Sequence, residues 1–158
     1  MQKNNITKTL LYVCIVFIII ICDVITKIWI INHFNLYEKK KIFYFLNFLY
    51  IKNYGSALGL ISNYEEWQSY LLSIVNLCII IKIIKLIHTA ILNKTYKNNI
   101  LYCLILGGAI SNVLNRIYFG YIIDFIDIDI KKLHCPTFNI ADTSIFLGIC
   151  ILILRSIK

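Results

Sequence analysis

Residues 101–132 read LYCLILGGAISNVLNRIYFGYIIDFIDIDIKK, and this stretch decides the fold. Its first part, LYCLILGGAI, is apolar and, together with its flanking residues, long enough for a helix across a bilayer. At the end of that helix come Asn112, Asn115 and Arg116, the last one of only two arginines in the chain. Beyond Gly120 the period changes. Asp127 and Asp129 alternate with Ile126, Ile128 and Ile130, the two-residue period of a half-exposed strand, so both are expected on a solvated strand face. Asp124 sits among Ile122, Ile123 and Phe125 and is the acid of this stretch left for chemistry.

The rest of the chain has the same character. Of 158 residues, 59% are hydrophobic and 15% charged, with mean hydropathy +0.76. A soluble domain has about 45–50% apolar and about 25% charged residues. The composition indicates a mainly α membrane protein in a single domain, 1–158, with spans over about 10–31, 67–87, 99–119 and 139–157. The first span runs on through Asp23 and Lys27 without a small-residue cleavage site, so it is not expected to be a cleaved signal peptide. The net charge of +8 is spread along the flanks of apolar segments, as membrane topology requires, and does not indicate nucleic-acid binding. Of the six cysteines, five lie in apolar runs and are expected to be small buried hydrophobes. No cysteine or histidine spacing suggests a disulfide framework or a metal site.

Four spans place both termini on one side and the connectors 32–66 and 120–138 on the other. Lysine and arginine are shared equally between the sides. All eight acids, however, fall in or near the long-connector side, which argues for cytoplasmic termini. On this partition Asp23 and Lys27, Asn112 to Arg116, Asp124, and Asn139 with Asp142 all gather near one membrane face. Ionisable groups are costly there and normally turn toward a protein interior or a wet cavity. Asp23 and Lys27 have the favourable i, i+4 order of an internal ion pair. Asn112 and Asn115 are one turn apart and suit a hydrogen-bonding face turned into the bundle, behind Gly107 and Gly108, which permit close helix packing. The segment NYGSALG (Asn53 to Gly59) allows tight turns, the preceding FYFLNFLYIK suggests short strands, and NYEEWQSY suggests an interfacial turn with Trp67 at the headgroups.

Asp124 and Asp142, from different segments at one face, suit metal-free peptide hydrolysis. Two close carboxylates cannot both ionise easily, so one retains a proton. The ionised one activates water; the protonated one stabilises the oxyanion and protonates the leaving amine. A small transporter using the same acids is the competing reading, disfavoured because the acids gather at one edge rather than at the midplane.

The motifs DVITK (Asp23 to Lys27), NYGSALG, GGAISNVLNR (Gly107 to Arg116), GYIIDF (Gly120 to Phe125) and FNIAD (Phe138 to Asp142) occur in this order. Together they resemble lipoprotein signal peptidase, signal peptidase II, over nearly the whole chain. The resemblance implies an inner-membrane aspartic endopeptidase with an extracytoplasmic β-cradle and a short interfacial helix. It implies cleavage of diacylglyceryl-modified prolipoproteins before the lipidated cysteine, with Asp124 and Asp142 as catalytic dyad. Asp23, Lys27, Asn53, Gly55, Asn112, Asn115, Arg116 and Asn139 would shape or line the site. It further implies a monomer among membrane lipids, no cofactor, and sensitivity to globomycin. The chain departs from the family pattern at Asn115, where Asp is usual and could pair with Arg116, and at Ser56 and Leu58.

Overall fold

The computed structural model describes residues 2–55, 66–130 and 133–157. In chain order these form α1 (Gln2–His33), β1 (Lys39–Lys41), β2 (Leu46–Asn53), α2 (Glu66–Leu92), a 3₁₀ turn (Tyr96–Asn98), α3 (Asn99–Phe119), β3 (Ile122–Ile130), β4 (Leu133–His134) and α4 (Ile140–Ser156). Among the described residues three helices are long and apolar enough to cross a membrane, over Ile6–His33, Tyr70–Leu92 and Tyr96–Phe119. The protein is therefore a mainly helical, multi-pass membrane protein. α1 and α2 extend past the expected spans, because helix propensity continues into residues that a hydropathy argument leaves to the headgroups.

α3 is the central helix, and α1, α2 and α4 all pack on it. Glycine makes the α3–α4 contact close. A Cβ on Gly108 would collide with the Ala141 carbonyl of α4 and lie 2.6 Å from Ser144 Oγ. The outer faces of α1 and α2 are apolar and exposed, as at Phe17, Ile25, Ile74 and Ile81. That corrects the expectation for cysteine: Cys103 is buried, but Cys14, Cys22 and Cys78 are exposed on these faces. In a bilayer an apolar residue need not enter the protein core, since lipid is as apolar as leucine.

α3 ends at Gly120, whose left-handed φ of 78° lets its N–H donate to the Arg116 carbonyl at 2.9 Å. The chain then enters an antiparallel sheet of order β1-β2-β3-β4. Its inner face packs on the end of α1 through Ile30, Phe34, Tyr50, Ile123 and Phe125. The β2–β3 register changes between Phe48, opposite Ile126, and Ile51, opposite Asp124, so β2 holds one extra residue there. Asn47 and Asn53, six residues apart, would share a face in a regular strand. The bulge turns Asn47 toward Asp127 and Asn53 toward Asp124.

Asp127 is not on a solvated face. It is 2% exposed, accepts from Asn47 Nδ2 at 3.0 Å and pairs with Lys39 Nζ at 2.7 Å. Alternation marks sidedness but not what covers a side, and β1, which the hydrophobic pattern does not announce, brings the covering lysine. Asp129 is 43% exposed and fits the expectation. Of the connector expected to carry a short interfacial helix, residues 56–65, with Ser56 and Leu58, lie outside the described residues, while Glu66 to Tyr70 of NYEEWQSY, expected as an interfacial turn, open α2.

Candidate active site

Asp124 enters the site from β3 and is 2% exposed. Two amides hold its carboxylate: Asn53 Nδ2 donates to Oδ2 at 2.8 Å and Asn139 Nδ2 to Oδ1 at 2.7 Å. Asn53 is itself oriented, because its Oδ1 accepts from the Gly55 N–H at 2.8 Å. Gly55 has φ of 112°, which a side chain would strain, so this short turn requires glycine. Burial pushes the Asp124 carboxyl up to about 6; the neighbouring Asp142 charge adds to the rise, and the Asn53 and Asn139 hydrogen bonds oppose it.

Asp142 arrives from the first turn of α4. Asn139 is the N-cap of that helix, in extended conformation, and its side-chain oxygen accepts from the Asp142 N–H at 2.9 Å. An acid three residues after the cap often turns back to it. Here Asp142 Oδ1 instead accepts from Asn112 Nδ2 of α3 at 2.8 Å. One buried amide, that of Asn139, thus grips the Asp124 carboxylate with its NH₂ group and the Asp142 backbone with its oxygen.

Asp23 of α1 fixes the start of α4 from the other side. Fully buried, it accepts from the Ala141 N–H at 2.9 Å and from Ser111 Oγ at 2.6 Å, and pairs with Lys27 at 2.6 Å. The Lys27 ammonium is satisfied by this charge rather than by aligned hydrogen bonds. The helical i, i+4 pair is therefore also the bolt joining α1, α3 and α4.

Arg116 is half-buried, within electrostatic reach of both Asp142 and Asp124. Its Nε and Nη1 are buried and have no hydrogen-bond partner among the described residues. Asn115 points elsewhere. Adjacent helical residues do not face each other; Asn115 is 4% exposed, donates to the Ser111 carbonyl at 3.2 Å, and lies 3.5 Å from the Ile123 N–H of β3. The amide there serves the α3–β3 junction rather than Arg116. Asp23, Lys27, Asn53, Gly55, Asn112, Arg116 and Asn139 all converge around the two carboxylates. Sequence reasoning missed Ser111, whose only signal is a hydroxyl in an apolar helix, and Asn47, which has none. Among the described residues no cluster of three or more His, Cys, Asp or Glu is placed to hold a metal ion.

The arrangement is a buried, amide-held carboxylate beside a second carboxylate. Such a pair can share one proton and both activate water and protonate a leaving group. Comparison with known proteins finds peptidases. The family model for signal peptidase (SPase) II matches residues 15–158. A lipoprotein signal peptidase of Buchnera aphidicola subsp. Schizaphis graminum is 46% identical, covering 92% of this chain and 93% of its own. One from Shewanella amazonensis is 33% identical, covering 100% of this chain and 94% of its own. Two solved structures of a bacterial membrane enzyme superpose. One, at 2.3 Å resolution, has a TM-score of 0.78 at 25% identity, covering 93% of this chain and 87% of its own. The other, at 1.9 Å, has a TM-score of 0.73 at 26% identity, covering 93% and 92%.

Proposed function

The chain belongs to the signal peptidase II family, a peptidase family that removes signal peptides from prolipoproteins, and within that chemistry we propose that Asp124 and Asp142 are its catalytic pair. The observation that carries the assignment is the Asn139 amide holding both residues at one end of the bundle. The pair shares one proton. The ionised carboxylate removes a proton from water as it attacks the scissile carbonyl. The protonated one hydrogen-bonds the developing oxyanion and then gives its proton to the departing amine. Asn53, Asn112 and Asn139 hold the carboxylates at fixed orientation, and Arg116 offsets their charge.

The substrates in this reading are prolipoproteins whose cysteine already carries diacylglycerol, cut on the amino side of that cysteine. No cofactor takes part. α4, with 17 residues and about 26 Å long at 1.5 Å per residue, serves as a fourth span. The chain 1–158 is then one integral-membrane peptidase domain acting as a monomer among membrane lipids. It lies in the bacterial inner membrane with cytoplasmic termini. The sheet is an extracytoplasmic cradle over the site, a position supported by its packing on the end of α1.

The test is processing of a diacylglyceryl prolipoprotein by the purified chain in proteoliposomes, read as a gel shift. Asp124→Asn and Asp142→Asn are each expected to abolish cleavage while still inserting, and globomycin to block the wild type. Normal processing by either variant would refute the pair.

A further inference from the structure

α1 and α2 both pack on α3, and between the three helices, toward the end of the bundle that carries the chain termini, lies a cavity of about 300 Å³. Its lining runs along α1 from Thr9 to Phe17, about 12 Å at 1.5 Å rise per residue. That is less than half of a hydrocarbon core of about 30 Å, so the slot belongs to one leaflet. It is too small for a helix, since a cylinder of that length and about 10 Å across encloses roughly 900 Å³.

The slot changes polarity along its length. Phe17 of α1, Ile84 of α2 and Leu106 of α3 line the deep end and are apolar. Thr9 and His88 line the mouth. Asn99 lies one turn before Cys103, another lining residue, on the same face of α3 and nearer the termini. It is fully buried, and neither polar atom of its amide has a hydrogen-bond partner among the described residues. An unsatisfied buried amide is costly, so this end favours polar atoms while the other favours hydrocarbon.

The mouth is basic. Lys8 adjoins Thr9 and lies 3.3 Å from the centre of the Tyr96 ring. Lys94 follows α2, and its backbone N–H donates to the carbonyl of the lining residue Ile91 at 3.3 Å. No Asp or Glu occurs in residues 1–22 or 67–123, so the segments that form the slot carry no acid. A signal peptide does not complement this charge, because its own n-region is basic. A phospholipid with an anionic headgroup complements both the mouth and the apolar depth, and basic pockets between spanning helices bind such headgroups. We propose that the slot binds one anionic phospholipid, with an acyl chain along Val13 and Phe17 and the phosphate between Lys8 and Lys94, bridging α1 and α2. The site lies apart from Asp124 and Asp142 and does not depend on their roles.

The test is native mass spectrometry of the full chain in detergent, titrated with dioleoyl phosphatidylglycerol or dioleoyl phosphatidylcholine. The wild type is expected to bind the anionic lipid at least tenfold more tightly. Lys8→Gln/Lys94→Gln should raise its Kd about thirtyfold, at about fivefold per lysine, and leave the phosphatidylcholine Kd unchanged. Lys8→Arg/Lys94→Arg should bind as the wild type does, which separates loss of charge from loss of fold. Val13→Trp, filling the slot, should weaken both lipids, and Ile74→Trp, on the lipid-exposed face of α2, neither. Equal wild-type affinity for the two lipids, undiminished binding in the glutamine pair or in Val13→Trp, or loss of binding in the arginine pair would overturn the proposal. So would displacement of the lipid by a synthetic signal peptide, or a dimer that Val13→Trp abolishes, since either assigns the slot to another occupant.

Discussion

Replacing Asn139 with Ala removes two separable interactions, and the structure gives each a size. The first is the N-cap of α4, where the side-chain oxygen accepts from the Asp142 N–H at 2.9 Å. Loss of such a cap costs about 1 kcal/mol. The second is the bond from Nδ2 to the Asp124 carboxylate at 2.7 Å. Hydrogen bonds to charged groups contribute about 1.5–3 kcal/mol. Asn139 is fully buried, so water does not simply replace it. Asn139→Ala is therefore expected to destabilise by about 3 kcal/mol, summing the two contributions. Asn139→Ser keeps a capping oxygen but not the amide donor, and should recover about 1 kcal/mol of that loss. Unfolding free energies from steric trapping in micelles measure both.

The same pair of variants tests the chemistry. The lost amide stabilised the charged form of Asp124, so its removal moves that carboxyl further upward. The proton of the pair is then retained to higher pH, and the alkaline limb of kcat/KM shifts upward in Ala and Ser variants alike. A wild-type pH profile in Asn139→Ser, or a cost for Ala below about 0.5 kcal/mol, would refute the reasoning.

In the wild type, kcat/KM should decline as pH rises through about 6, where the Asp124 carboxyl loses its proton. The same shift links to stability: between about pH 4 and 6 the folded state holds a proton that the unfolded state has released, so stability falls as pH rises across this window, and Asp124→Asn should flatten that slope in denaturation curves. Asp23→Asn leaves Lys27, 2% exposed, without its counter-charge and should cost about 3–5 kcal/mol; adding Lys27→Met should recover part of it, and an additive double variant would contradict the pairing. Asn115→Asp removes the donor to the Ser111 carbonyl and places a charge facing away from Arg116, so kcat/KM should not rise and thermal stability should drop; a faster enzyme would show that residue 115 acts on the site after all.

Much of the site is legible along the chain because much of it is local. The Asp23–Lys27 pair needs only one helical turn, and Asn139 caps a helix whose acid lies three residues on. The expected third span, 99–119, coincides with α3, since a sustained apolar run closed by Gly120 leaves little choice. Asp127 shows the limit. Its alternation with isoleucines is a sound strand signal, yet its burial depends on Lys39 and Asn47, more than 75 residues away in sequence and carrying no local mark.

That apolar helices bring polar groups to one face, and that Asp124 and Asp142 are the carboxylates available there, is written in the amino-acid order alone. Periodicity and hydropathy are properties of single segments, and they suffice for that. How those groups are held is settled by the folded arrangement. The extra residue in β2 turns Asn53 onto Asp124. The glycine contact of α3 with α4 places Asn112 against Asp142. Asp23 reaches across the bundle to Ser111 and Ala141. Each of these is a meeting of separate segments, set by strand register and helix packing, and no single segment encodes it.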